Sequence, residues 1–113
     1  PVLVRYGGSM PGDPRTICRG IVIGVRPNSP VRAAKSGVAF VMESVPGLGR
    51  TVAVDHGDGS VTTYAMNDRI AVKYGEYVRQ GETLAYAGSG SGRIFFRLDV
   101  NRGPADPLRH LPR

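Results

Sequence analysis

The 113-residue chain has one cysteine, Cys18, and two histidines, His56 and His110. A single thiol excludes an intrachain disulfide and a multi-cysteine zinc site, and it leaves the redox compartment open. No stretch approaches the roughly 20 consecutive apolar residues that a membrane helix needs. No segment sustains a helical period of hydrophobic residues. Basic residues never run five in a row, which argues against a disordered basic tail. No signal peptide is visible either, but the first residue is Pro1 rather than Met. The chain therefore reads as a piece excised from a longer protein, and missing targeting signals carry no weight.

What is present is glycine, proline and short β-branched runs. The 16 glycines and 9 prolines are spread along the chain, which fits tight turns between strands rather than a low-complexity linker. A chain of this length suits one domain, spanning residues 1–113. It can bury about two-thirds of the surface it exposes when unfolded. The net charge of +6 favours anionic partners without naming one, so nucleic acid, anionic lipid, cell-wall polymer and acidic protein all stay open at this point.

Strands are expected at 20–25, 31–34, 38–42, 51–55, 60–64, 82–87 and 93–100. Turns are expected at Pro27–Pro30, Ser36–Gly37, Pro46–Gly49 and His56–Gly59, with a short turn or single helical turn at Asn67–Ile70. Gly88–Gly92 reads as a flexible loop and Pro104–Pro112 as extended or turn-rich chain. The fold class is all-β, a barrel-like sandwich of short antiparallel strands.

An internal echo narrows this. Val72-x-x-Gly75-Glu76-x-Val78 runs directly into Val78-x-x-Gly81-Glu82-x-Leu84. Two successive tight turns of this kind fold a ribbon back across a sheet. The pattern suits biotinyl or lipoyl carrier domains and the LytM peptidase core. A carrier needs a lysine at a hairpin tip, and the tips Pro46–Gly49 and Gly57–Gly59 have none.

The order of the remaining motifs resembles the LytM (lysostaphin-like) peptidase domain over nearly the whole chain. Pro1-Val2-x-x-x-Tyr6-Gly7 is similar to the family's lead-in, and Arg19-Gly20-Ile21-Val22-Ile23 sits where active members carry His-x-Gly-Ile-Asp-Ile. The Val31–Ala39 hairpin and Thr51–Gly59, with its His-Gly turn, follow in order. So do Thr63-Tyr64-Ala65-Met66, the double echo, Arg93–Leu98 in the place of His-Leu-His-Phe-Glu-Val, and Asn101–Pro107. The resemblance implies a LytM-like β-sandwich, or barrel-sandwich hybrid.

The departures imply the function. Active members hold zinc with His, Asp and His, and use further histidines at the water. The aligned positions here are Cys18, Val22, Met66, Arg93 and Phe95, and Arg97 replaces the acidic residue that follows. Val and Phe have no donor atom, and arginines would repel a divalent cation. No zinc and no catalytic residue are expected. Degenerate domains of this kind resemble the murein hydrolase activators of the EnvC and NlpD type. That resemblance implies a protein partner, an N-acetylmuramoyl-L-alanine amidase whose autoinhibition is relieved at the division septum, with peptidoglycan as a further ligand. It implies neither nucleic acid nor membrane insertion, and a periplasmic or envelope location.

The expected partner groove comprises Arg93, Phe95 and Arg97, which share a face by strand parity, together with Tyr64 and Met66 by the same argument. Tyr74 belongs to it as a loop aromatic on its rim, with Tyr77 close by. Cys18 is expected to pack as a small hydrophobe, and His56 to hydrogen-bond the turn. Asp58, Glu76 and Glu82 adjoin turn glycines for backbone reasons. The alternatives are a passive peptidoglycan-binding module and a zinc endopeptidase with the atypical ligands Cys18, His56 and His110.

Overall fold

The structure, a computed structural model, describes residues 2–88 and 92–110, and of Pro14 and His110 the backbone alone. The strands are β1 (Val2–Val4), β2 (Ser9–Met10), β3 (Asp13–Ile17), β4 (Ile21–Gly24), β5 (Pro30–Arg32) and β6 (Gly37–Val45). They continue with β7 (Gly49–Asp55), β8 (Ser60–Ile70), β9 (Tyr77–Val78), β10 (Thr83–Ala87), β11 (Arg93–Val100) and β12 (Gly103–Ala105), and a one-turn helix α1 (Pro107–His110) follows. All pairings between them are antiparallel.

The main sheet has the order β1-β4-β11-β8-β7-β6-β9. β8 carries the chain from one layer to the other. Its first part lies between β7 and β11, and its last residues pair with β10, which also pairs with β5. The corner falls at Met66, whose φ of 66° breaks the extended backbone. A strand that changes layers at such an irregularity is how a sandwich turns its corners. The core lies between the layers and includes Ile21, Val52, Val54, Val78, Leu84 and Phe96. Each such aliphatic or aromatic side chain contributes about 1.5–3 kcal/mol by leaving water.

The sequence echo is a structural repeat. Gly75 N–H donates to Ala39 O (2.7 Å), and Ala39 N–H donates to Glu76 O (2.8 Å). Six residues on, Gly81 N–H donates to Ala33 O (2.8 Å), and Ala33 N–H to Glu82 O (2.9 Å). Both glycines have φ of 84°, a conformation that only glycine adopts freely. The Glu76 and Glu82 carboxylates accept the N–H of Lys73 and Arg79, so they close the turns as expected.

The all-β class agrees with the sequence reading, and several boundaries do not. The Asn67–Ile70 stretch is not a helical turn but the second-layer half of β8, because β10 supplies its pairing. The Pro104–Pro112 tail is not simply extended: it contains the end of β12 and α1, where the Asp106 carboxylate caps Leu108 N–H (3.0 Å). Residues 89–91 of the glycine-serine loop, and 111–113, lie outside the described residues.

Candidate functional site

Alternation along the strands gives the main sheet a core face and an outer face. On β11, Ile94, Phe96 and Leu98 enter the core, whereas Arg93, Phe95, Arg97 and Asp99 face outward. Phe95 stands between Val22 of β4 and Ala65 of β8 in the register. Cys18 joins them from the bend before β4, its N–H donating to Gly8 O (2.6 Å) and its carbonyl accepting from Gly7 N–H (2.7 Å). Cys18, Val22, Ala65 and Phe95 form a second buried apolar cluster, with Val4, Met10, Leu48 and Met66 packed against it. Three of the positions that the LytM resemblance aligns with zinc ligands, Cys18, Val22 and Phe95, thus meet in one place.

Above this cluster opens a groove of about 580 Å³. Its floor includes Phe95. One wall is the β2–β3 hairpin, contributing Met10, Asp13 and Ile17, and the other is the β6–β7 turn with Leu48. Met66 N–H holds that turn down through Leu48 O (2.7 Å). Ile17 is 55 % exposed, an apolar side chain presented at the rim. Arg19 and Arg97 bring charge. Arg97 is chelated by Asp99 (Nε–Oδ2 3.0 Å, Nη2–Oδ1 3.0 Å), whereas Arg19 is exposed and has no ion pair among the described residues. Asp13 is held below the usual carboxylate range by the Thr16 hydroxyl and the Arg15 N–H.

The cluster does not fit a zinc ion. Zinc takes nitrogen, thiolate or carboxylate donors in a tetrahedral set. Cys18 alone offers one, and its Sγ faces the Gly20 carbonyl at 3.2 Å. Val22, Ala65 and Phe95 offer none, and the Met66 thioether is a poor donor for zinc. No group of three His, Cys, Asp or Glu side chains able to hold a metal occurs among the described residues. His56 is engaged elsewhere, its Nδ1 with Ser36 O (2.8 Å) and its Nε2 with Thr62 Oγ1 (2.9 Å). It therefore ties the bend at Ser36 to β8, the return strand of its own hairpin. The side chain of His110 lies outside the described residues.

A model of peptidase family M23 matches residues 16–107. The chain belongs to peptidase family M23. It is similar to the murein hydrolase activator EnvC of Escherichia coli, with 34% identity over 104 residues that cover 90% of this chain and 24% of the relative. It is also similar to the lipoprotein NlpD/LppB homolog of Pseudomonas aeruginosa, with 34% identity over 99 residues that cover 84% of this chain and 33% of that one. The chain thus spans between a quarter and a third of these relatives. The lysostaphin catalytic domain of Staphylococcus simulans superposes with a TM-score of 0.84 over 96% of this chain and 90% of its own, at 24% identity, a likeness of fold.

Of the expected groove residues, Phe95 and Arg97 line it, and Tyr64 and Tyr74 lie elsewhere. Phe95 stays in the groove but as its floor, 4 % exposed, because Val22 and Cys18 pack around it. Arg97 reaches the groove bound to Asp99, and Arg93 faces the same side without lining it. Tyr64 is a core residue. Its ring packs edge-on to Phe96 at 5.2 Å, and its hydroxyl accepts Ala34 N–H (2.9 Å) and meets Thr62 Oγ1 (2.7 Å). Burial pushes its phenol up from the ordinary value. Tyr64 and Met66 do not share a face, because the backbone irregularity at Met66 turns that side chain to the outer cluster. Tyr74 packs against Phe40 at a distance from the groove lining. Met10, Ile17, Arg19 and Leu48 line the groove without having been expected there; the Pro11-Gly12 turn signal was the available clue to the hairpin that carries the first two.

Proposed function

We propose that this M23 domain cleaves nothing itself and acts in the cell envelope as an activator. Its groove docks an N-acetylmuramoyl-L-alanine amidase and relieves that enzyme's autoinhibition during peptidoglycan remodelling and cell division. The observation that carries this reading is the composition of the groove floor. At the positions aligned with the metal ligands stand a thiol facing a carbonyl, a valine and a phenylalanine. A floor of that kind supports apolar contact and supplies no means of activating water. The names of the similar activators support the same direction. The walls suit a protein segment, since Ile17, Leu48 and Met10 offer adaptable apolar contact and Arg19 an uncompensated charge at the rim.

The test is direct binding to purified periplasmic amidases. Leu48→Asp and Arg19→Glu should each weaken binding at least tenfold while the thermal midpoint stays close to that of the parent. Retention of full affinity by both variants would remove the groove from the interface. Peptidoglycan binding without amidase binding would favour the passive wall-binding reading, which the net charge of +6 supports.

A further inference from the structure

At its corner β8 carries one residue more than β7. Arg50 of β7 stands opposite Asn67, and Val52, two residues on, stands opposite Tyr64, three residues back. The extra residue makes a bulge at Ala65–Met66. Met66 absorbs it with a φ of 66°, a left-handed conformation that a side chain as long as methionine disfavours. Bulges re-aim side chains, and this one turns Met66 to the outer cluster, against which Leu48 also packs. The Met66 N–H then meets the β6–β7 turn and donates to Leu48 O (2.7 Å). The groove wall at Leu48 therefore depends on a backbone conformation that Met66 does not favour by itself.

Asn67 supplies the hold. Its Nδ2 donates to Tyr64 O (2.8 Å), on the far side of the bulge, and to Arg50 O (3.0 Å), on β7. One amide thus spans the extra residue and joins both strands beside it. The residue is buried, 7 % exposed, so water competes little for these two bonds. Both Nδ2 protons go to carbonyls, which fixes which end of the amide is nitrogen. Oδ1 is buried and meets no donor among the described residues, so the amide acts through its nitrogen alone. The turn's other bonds do not tie it to β8. Leu48 N–H donates to Val45 O (2.9 Å), and Thr51 Oγ1 donates to Gly49 O (3.1 Å), both within the β6–β7 hairpin.

We propose that Asn67 is a positioning residue for the partner groove: it holds the Met66 bulge, and through Met66 N–H it sets Leu48 in the wall that the partner contacts. The contact rests on the amidase reading, whereas the hold is a property of this chain alone and is measured without any amidase. Two roles for Asn67 differ in what its removal does. A residue that only stabilised the fold would loosen amides throughout the core alike. A positioning residue loosens the Met66 amide first, because that bond opens locally before the sheet does.

The experiment joins amide hydrogen exchange of the whole 113-residue chain, followed by NMR, to binding of a purified periplasmic amidase. Asn67→Ala removes the amide, and Asn67→Asp keeps its shape but replaces the donating nitrogen. The N–H groups of Ala33 and Ala39, which donate to Glu82 O and Glu76 O in the turns before β10 and β9, report the stability of the fold as a whole. Relative to those two, the Met66 amide should exchange at least about tenfold faster in either variant than in the parent. Amidase affinity should fall roughly three- to tenfold. In a Leu48→Ala background the same substitution should cost less than about twofold, because the residue through which Asn67 acts is already truncated. The proposal is overturned if Met66 exchange rises no more than that of Ala33 and Ala39, which would make Asn67 a contributor to stability alone. It is equally overturned if affinity is unchanged, or falls as far with Leu48→Ala as without it. Parent-like Met66 exchange in Asn67→Asp would overturn it too, by showing the two donors to be dispensable. Absence of amidase binding by the parent would instead sink the docking reading, and Met66 exchange would still decide the hold.

Discussion

If Cys18, Val22 and Phe95 occupy a lost metal site, putting the ligands back should restore metal binding. The perturbation is Cys18→His with Val22→Asp and Phe95→His. Without metal it should be severe. Val22 is fully buried, so Val22→Asp forfeits about 1.5–3 kcal/mol of apolar burial and leaves a buried polar group unpaired at about 1–3 kcal/mol more. Cys18→His adds volume to a filled cluster, at about 1–3 kcal/mol. Against a typical domain stability of about 5–15 kcal/mol, the metal-free triple variant should be barely folded or unfolded. Zinc reverses this by binding only the folded form. At a free concentration about 100 times the dissociation constant it returns about 2.7 kcal/mol, and a structural zinc site reaches about 10–16 kcal/mol in all. Urea unfolding with zinc and with chelator reads the effect. The triple variant should gain midpoint with zinc and lose it with chelator, and the parent should respond to neither. A zinc-dependent midpoint in the parent, or a triple variant indifferent to zinc, would refute the assignment of these positions.

Other outcomes follow from the packing. Tyr64→Phe removes the acceptor of Ala34 N–H and the partner of Thr62, and should lower stability by about 1–3 kcal/mol in urea unfolding. Because burial raises the Tyr64 phenol in the folded state, its contribution is fully present below the unfolded value near 10 and is lost as pH rises through the folded one. The parent should therefore lose urea midpoint more steeply than Tyr64→Phe above about pH 10. A Cβ at Gly20 would lie 2.1 Å from Phe96 O, so Gly20→Ala should force β4 from β11 and sharply lower the thermal midpoint. Gly81→Ala meets open space but a φ of 84°, and should cost only about 1–2 kcal/mol, measured the same way.

The sequence was most readable where period two ran unbroken. Alternation along β11 put Arg93, Phe95 and Arg97 on one face, and the His-Gly and Pro-Gly turns fell where glycine punctuated apolar runs. Reading failed where the backbone left regular geometry. Strand parity put Tyr64 beside Met66, but parity does not survive a residue with φ of 66°. The hairpin wall of the groove was missed because β2 and β3 are short and mostly exposed, with little apolar pattern to find. The Arg97–Asp99 pair was available in principle, since residues two apart on a strand share a face. The hold of Asn67 on Tyr64 and Arg50 depends on cross-strand register, which no single segment encodes.

Activation in a mixture is the most direct test of a groove that docks an amidase. The purified domain, a periplasmic amidase and dye-labelled peptidoglycan are combined, with each protein alone as control. Dye release should rise in the mixture only, and chelation should stop it by acting on the amidase. Release by this domain alone, abolished by chelator, would make it a hydrolase and contradict the reading of its groove floor.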